Sequence, residues 1–251
     1  MTAMAGQVDQ EPAFVLHRRD FRETSLLLDV FTLHHGRVSL VARGANRPKN
    51  PWKAQLQPFQ ALLVGWQGRS DLKTLTDAEP RPSSSLFGTR RLYCGLYLNE
   101  LLQRLLPSQD ACPELFATYA QTLSSLAMAD NVEIPLRRFE RTLMDALGQG
   151  FSWELASDCG EPVQSGRVYC FDPEQGFTAR PGYGTRLKHL SGDALLALAN
   201  DDYDAPGARS VAKRVMRVLI DHLLQGRPLH SRELFTHSRG DNHEEEDPAR
   251  G

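Results

Sequence analysis

The spacing of the apolar residues changes once along this chain, and that change limits the folds open to it. Between residues 13 and 77, short runs rich in β-branched and aromatic residues alternate with turn formers, a pattern typical of β-strands. After the segment PRPSSS at 80–85, apolar residues recur about every 3.6 positions, as in amphipathic helices. The sequence therefore predicts an α+β protein, with a β domain over 1–80 and a helical domain over 81–238.

The β domain is predicted to be a small closed barrel. Its strands are expected at 14–18, 25–33, 37–42, 59–66 and 72–77. Gly36 supplies the positive φ that a tight hairpin between the second and third strands requires. Short strands packed this densely favour closure over an open sheet, because closure removes exposed edges.

The helical domain is divided by prolines and glycines. Apolar stripes and proline positions predict helices at 86–106, 113–128, 135–147, 191–200 and 210–224. An irregular insert at 151–184 separates them, and four of its aromatic residues are expected to form a satellite core: Trp153, Tyr169, Phe171 and Phe177. The last residues, 239–251, are polar and acidic and are predicted to be a disordered tail.

A carboxylate-free stretch, 30–70, stands out in a chain of formal net charge -2. Its cations are Arg37, Arg43, Arg47, Lys49, Lys53 and Arg69. Trp52, Phe59 and Trp66 are interleaved with them, and cations beside aromatic rings suit phosphates and unstacked bases. Trp52 lies between cations on the loop and serves either base stacking or packing, whereas Phe59 and Trp66 are expected in the core. The alternative for the whole stretch is a solvated barrel rim.

A second group of cations lies on predicted helices. Arg137, Arg138 and Arg141 belong to the third helix, and Lys213, Arg214 and Arg217 to the last. Residues four apart share a helix face, so each group forms a basic face. Such a face is either solvated or a groove for an acidic peptide or a nucleic-acid strand beside apolar residues.

No catalytic or metal-binding motif is recognisable. The chain lacks G-x-S-x-G, Walker A, H-E-x-x-H and G-x-G-x-x-G patterns, and its cysteines form no C-x-x-C pair. We therefore expect a binding protein, not an enzyme, with no cofactor and no metal. No apolar run is long enough for a membrane span and no secretory leader is recognisable, so a cytoplasmic protein without membrane contact is expected.

Seven segments, in order along the chain, resemble the RecO family of bacterial recombination mediators. They are AFVLH at 13–17, ETSLLLDVFT at 23–32, GRVSLVARGA at 36–45, LQPF at 56–59, LYLNELL at 96–102, LRRFE at 136–140 and SRELF at 231–235. Their common order over nearly the whole chain makes the resemblance more specific than any single match.

The resemblance implies a five-stranded OB-fold barrel followed by a helical domain. It also implies binding of single- and double-stranded DNA, annealing of complementary strands coated by single-strand binding protein, and, with RecR, loading of RecA. The DNA site would comprise Arg37, Arg43, Arg47, Lys49, Trp52, Lys53 and Arg69. The acidic C-terminal tail of single-strand binding protein would dock on the helical domain, in part at Arg137, Arg138, Phe139 and Arg141.

The insert departs from the family pattern. Many relatives carry a four-cysteine zinc knuckle of two C-x-x-C pairs, whereas here Cys159 is preceded three positions earlier by Ala156, and 177–184 contains no cysteine. We therefore expect a knuckle-like insert without metal ligands. Two other functions remain open: a metal-dependent nuclease on an OB-fold barrel, and a protein-interaction adaptor that does not bind DNA.

Overall fold

The computed structural model describes residues 6–83, 86 and 88–240, of which 236–240 are described as backbone only. It contains two compact units. Unit 1 comprises the described residues up to Asp130 and those from Leu229 onward, and unit 2 comprises Asn131–Pro228. The domain limits drawn from the sequence, 1–80, 81–238 and 239–251, stay predictions, and residues 241–251 of the expected tail lie outside the described residues.

The strands and helices follow the order expected from the sequence, with additions. The strands are β1 Gln7–Phe21, β2 Ser25–Thr32, β3 Gly36–Ala42, β4 Ala61–Gln67, β5 Leu72–Pro80, β6 Leu155–Ala156, β7 Glu161–Pro162, β8 Val168–Asp172, β9 Gly176–Thr178 and β10 Leu187–Ser191. The helices are α1 Trp52–Gln55, α2 Thr89–Leu105, α3 Pro113–Met128, α4 Glu133–Ala146, α5 Gly192–Ala199, α6 Ala208–Leu223 and α7 His230–Gly240. No helix in the described ranges is long and apolar enough to cross a membrane.

The N-terminal strands form a closed five-stranded barrel, which confirms the predicted fold class. The strand order is β1-β2-β3-β5-β4, and β3 and β5 pair in parallel from Ser39 with Leu72 to Val41 with Thr74. Side chains alternate between the interior and the outside, so that Val15, Leu28 and Leu40 are wholly buried. Trp66 is 2% exposed and belongs to this core, as expected.

Phe59 lies outside the strands, contrary to the prediction that the fourth strand begins there. Its φ is 70°, and β4 starts at Ala61. A Cβ added to Gly95 of α2 would lie 2.9 Å from the Phe59 ring, so the glycine lets the ring approach the helix closely. Phe59 therefore packs against α2 from a loop.

Unit 1 joins the barrel to α2, α3 and α7. Phe14 and Phe31 of the barrel contact Phe116 and Tyr119 of α3, with ring centroids 5.1 to 6.1 Å apart. On α2, Asn99 donates a hydrogen bond of 2.8 Å to the carbonyl oxygen of Leu16. The barrel and these helices thus share buried apolar and polar contacts.

Unit 2 contains the insert and its helices. A cluster of tilted and edge-on ring contacts, with centroids 5.1 to 5.3 Å apart, confirms the expected satellite core and adds Phe151 to Trp153, Phe171 and Phe177. Tyr169 is buried, but its hydroxyl accepts a hydrogen bond from the backbone nitrogen of Gln164 at 2.8 Å. The insert also forms two small sheets, β6-β7 and β10-β8-β9.

Backbone and carboxylate hydrogen bonds connect the insert where a zinc knuckle would have its cysteines. The carbonyl oxygen of Ala156 accepts from the backbone nitrogen of Gly160 at 2.7 Å. The Asp158 carboxylate accepts from the backbone nitrogens of Ala179 at 2.8 Å and Arg180 at 3.2 Å, and so connects the segments before β7 and after β9. Across the described residues, no His, Cys, Asp and Glu side chains are grouped to hold a metal ion.

Candidate nucleic-acid interface

A groove of about 810 Å³ lies on the surface of the barrel. Its walls come from the β1–β2 turn, the end of β3 with the loop that follows, and the start of β5. The lining residues are Phe21, Arg22, Glu23, Thr24, Ser25, Val41, Arg43, Gly44, Arg47, Leu72, Lys73 and Thr74. We call this surface the barrel groove.

The loop after β3 is held against the β1–β2 turn by Asn46. Its backbone nitrogen donates to the carbonyl oxygen of Thr24 at 2.9 Å, and its side-chain amide donates to Asp20 at 2.7 Å. Asn50 donates from its side chain to the carbonyl oxygen of Gly44 at 2.9 Å, which closes the loop on itself. Arg43 and Arg47 are therefore presented from an anchored backbone.

The barrel groove is predominantly basic. Arg22, Arg43, Arg47 and Lys73 line it, and Glu23 carries the one carboxylate among its described lining residues. In the part of the chain that the structure describes, none of these four cations forms an ion pair. Like charges gathered in a concave surface raise the local concentration of an anionic ligand.

Apolar surface lies beside these cations. Leu72 is 41% exposed at the start of β5, and Phe21 is half-buried at the end of β1. The Arg22 guanidinium lies 5.2 Å from the centre of the Phe21 ring, within the range of a cation–π contact. The groove thus combines phosphate-binding charges with an aromatic ring and an aliphatic side chain.

The structure brings together only two of the residues proposed from the sequence for DNA binding. Arg43 and Arg47 line the groove, whereas Lys49, Lys53 and Arg69 are exposed outside its lining. Arg37 donates from Nε to the carbonyl oxygen of Leu106 at 3.2 Å and from a terminal nitrogen to Ser108 at 3.0 Å. Trp52 is half-buried and packs against the barrel core.

Sequence reasoning missed Phe21, Arg22 and Lys73. The first two fall between the predicted strands at 14–18 and 25–33, although an aromatic residue beside arginine is a usable signal. Lys73 and Leu72 reach the groove because β5 pairs in parallel with β3. No local pattern in the sequence indicates that pairing.

A second, smaller cavity lies in unit 2 beside α4. It has a volume of about 80 Å³ and is lined by Arg141, Met144, Asp145, Gly150, Phe151, Trp153 and Met216. The Arg141 guanidinium lies 5.3 Å from the centre of the Trp153 ring and donates to the carbonyl oxygen of Leu198 at 2.8 Å. One cation is thus fixed at the edge of a small cavity that is lined by a carboxylate, two aromatic rings and two methionines, which we call the α4 cavity.

The four residues proposed from the sequence as a peptide dock divide into two pairs. Arg137 is 8% exposed and pairs with Glu140 at 2.9 Å, and Phe139 is fully buried. Arg138 is exposed, pairs with Asp201 at 2.8 Å and lies 5.6 Å from the centre of the Tyr203 ring. Arg138 and Arg141 therefore meet around Asp201, while the other two are inside the unit.

Tyr203 lies between these two arginines. Burial raises the pKa of its hydroxyl, although the hydrogen bond from Arg141, 3.4 Å long, acts in the opposite direction. Tyr203 therefore stays protonated at neutral pH. The cationic character of the surface around α4 comes from Arg138 and Arg141.

Comparison with known proteins accounts for nearly the whole chain. Residues 4–83 match the family model "Recombination protein O N terminal", and residues 88–233 match "Recombination protein O C terminal". The DNA repair protein RecO of Marinobacter nauticus is 55% identical over 238 residues, covering 94% of this chain and 97% of the relative. The DNA repair protein RecO of Methylococcus capsulatus is 45% identical over 90% of this chain and 92% of the relative. That of Aromatoleum aromaticum is 43% identical over 91% of this chain and 95% of the relative.

The fold agrees with these matches, since a closed five-stranded barrel precedes the helices. Both family models, taken together, span the barrel and both units. The chain belongs to the RecO family of DNA repair and recombination proteins.

Proposed function

We propose that the barrel groove binds the phosphate backbone of DNA and that the protein acts on it by binding, without turnover. The observation that supports this most is the meeting of Arg22, Arg43, Arg47 and Lys73 with Phe21 and Leu72 in one groove. Phosphates would contact the cations, and an unstacked base would lie on Phe21. Duplex DNA would use the same cations without the ring.

The test replaces Arg43 and Arg47 with glutamine and measures binding of a labelled single-stranded oligonucleotide across a salt series. The slope of log affinity against log salt is negative, and each lost phosphate contact makes it shallower by about 0.7 for single strands. We therefore expect the magnitude of the slope to fall by about 1.4 in the double variant. The control is Arg81→Gln with Arg90→Gln, which removes the same charge from unit 1 outside the groove. Equal loss in both double variants would contradict a specific role for the groove.

For the activity as a whole, we propose annealing of complementary strands coated by single-strand binding protein and, with RecR, promotion of RecA loading. Family membership and the barrel groove support a role on DNA. The measurement is the rate of annealing of coated complementary oligonucleotides. If the Arg43→Gln and Arg47→Gln double variant annealed strands at the wild-type rate at moderate salt, annealing would not depend on the barrel groove. Degradation of the oligonucleotides with Mg²⁺ would instead indicate a nuclease.

The α4 cavity is our proposed dock for the acidic, phenylalanine-ended tail of single-strand binding protein. Arg141 at the cavity and Arg138 beside it would contact its carboxylates, and the half-buried Phe151 would contact its aromatic end. Arg138→Ala should weaken binding of a tail peptide at low salt, whereas Arg227→Ala, which removes an exposed cation elsewhere in unit 2, should not. A peptide lacking its terminal phenylalanine controls for charge alone.

A further inference from the structure

The insert of unit 2 exposes an aromatic ring on the turn formed by residues 182–185. The side chain of Tyr183 is 106% exposed, which is more than in an extended reference chain. None of the ring contacts recorded in the described residues includes it. A fully solvated aromatic ring is available to a ligand without first breaking any contact.

The turn that carries this ring is fixed. The backbone nitrogen of Gly182 donates to the Thr185 hydroxyl at 2.8 Å, and the backbone nitrogen of Thr185 donates back to the carbonyl oxygen of Gly182 at 3.3 Å. A Cβ on Gly184 would lie 2.1 Å from an oxygen of Asp172, so the turn packs closely on that buried carboxylate. Tyr183 is therefore exposed by a held backbone, and ordering it for a ligand costs little entropy.

Cations precede and follow the ring along the chain. Arg180 precedes the turn, and its backbone nitrogen is held by Asp158 at 3.2 Å. Arg186 follows the turn, and its backbone nitrogen donates to the carbonyl oxygen of Phe171 at 2.8 Å. Lys188 lies two positions further on, in β10, and all three side chains are exposed. The backbone positions of both arginines are thus fixed by the β10-β8-β9 sheet and the Asp158 contact.

These cations are available for a ligand. Over the described residues, Arg180, Arg186 and Lys188 form no ion pair. The nearby carboxylates are engaged by backbone groups: Asp158 by Ala179 and Arg180, and Asp172 by the backbone nitrogen of Glu174 at 2.9 Å. With both carboxylates counted against Arg180, Arg186 and Lys188, these five groups have a formal charge of +1.

We propose that this surface, Arg180, Tyr183, Arg186 and Lys188, is a second binding site for single-stranded DNA, separate from the barrel groove. The cations would bind consecutive phosphates and a base would stack on Tyr183. A single strand is favoured over a duplex because the ring needs an unstacked base face. A site for one strand on each unit goes beyond the binding of one strand in the barrel groove.

The test uses full-length protein in which Arg43→Gln and Arg47→Gln already weaken the barrel groove, with a labelled oligothymidylate as the probe. In that background, Tyr183→Ala should lower affinity by about fivefold or more, and Tyr183→Phe should retain it, since phenylalanine also stacks. Arg180→Gln with Arg186→Gln should reduce the magnitude of the slope of log affinity against log salt by about 1.4. Arg209→Gln with Arg227→Gln is the control, since it removes the same charge from exposed positions elsewhere in unit 2.

A photocrosslinking measurement locates the contact directly. Oligonucleotides carrying 5-iododeoxyuridine should crosslink to Tyr183 in the otherwise unaltered protein, as identified by mass spectrometry. Unchanged affinity and salt slope in the insert variants, together with no crosslink at Tyr183, would overturn the second site. That result would not contradict the proposal for the barrel groove, because the groove variants are tested in protein whose insert is unaltered.

Discussion

The hydroxyl of Tyr119 donates a hydrogen bond of 2.5 Å to the side-chain oxygen of Asn99, and both side chains are closed off from water. Because Asn99 also donates to the carbonyl oxygen of Leu16, this amide connects α2 and α3 to the first strand of the barrel. Burial raises the pKa of Tyr119, which keeps its hydroxyl a donor at all physiological pH values.

Replacing Asn99 with leucine should strongly destabilise unit 1. It removes the Asn99 oxygen that accepts from the Tyr119 hydroxyl and the amide that donates to the Leu16 carbonyl, and each buried hydrogen bond lost in this way costs about 1 to 3 kcal/mol. The free energy of unfolding in urea measures the loss. Tyr119→Phe should cost less in the Asn99→Leu background than alone, and strict additivity of the two changes would contradict the coupling.

Gly36→Ala should destabilise the barrel by more than the strain of its backbone alone. Gly36 has a φ of 63°, and an added Cβ would lie 1.9 Å from the carbonyl oxygen of Asp110. Gly148→Ala is the matched control, since Gly148 has a φ of 67° and nothing within 4 Å of its Cβ position. We expect about 1 kcal/mol for the control and a clearly larger loss for Gly36, measured by thermal or urea unfolding.

Glu100 should make the attachment of α7 sensitive to acid. Its carboxylate accepts hydrogen bonds from the backbone nitrogens of His230 and Ser231 and from the Ser231 hydroxyl. Burial raises the pKa of Glu100, but these hydrogen bonds and that of Arg104 outweigh it, so the pKa lies below its ordinary value of 4.5.

Because the folded pKa of Glu100 is lowered, its contribution is fully present above about pH 4.5 and disappears as the pH falls through the folded value. The protection factors of the first amides of α7, which correct for the slower intrinsic exchange at acid pH, should fall in that range. Glu100→Gln should remove the dependence and give faster exchange already at neutral pH. An identical acid response in this variant would assign the effect to other carboxylates.

Asp158 should stabilise the insert through its two backbone hydrogen bonds. Asp158→Ala removes the acceptor of the Ala179 and Arg180 amides, so their hydrogen exchange should become faster while the core of unit 1 is unaffected. Glu161→Ala, in the neighbouring strand β7, is the charge control. Unchanged protection of these two amides would show that the aromatic cluster alone holds the insert.

Periodicity predicted the elements whose causes are local. Helix α3 runs from Pro113 to Met128 as expected, because proline suits a first helical turn and the apolar stripe continues to that point. Helix α7 was not placed as a separate helix. Its start is capped by Glu100, which is 131 residues away from Ser231 in sequence, and no window of sequence contains both.

The candidate sites were predictable only in part for the same reason. Arg43 and Arg47 lie on a loop whose basic character is visible in sequence, whereas Lys73 joins them through the pairing of β3 with β5. Arg137 and Arg138 are neighbours of equal charge, yet Arg137 is turned inward to Glu140 on the same helix. Helical spacing alone does not decide which of two adjacent arginines faces water.

The chain returns to unit 1 after completing unit 2, since Leu229 onward belongs with the residues up to Asp130. During synthesis, Glu100 is therefore made 131 residues before its hydrogen-bond partner Ser231. When only the barrel, α2 and α3 have emerged from the ribosome, the part of α2 that contacts α7 is still exposed. We therefore expect unit 1 to complete its fold only after the whole of unit 2 has been synthesised, when α7 packs on α2.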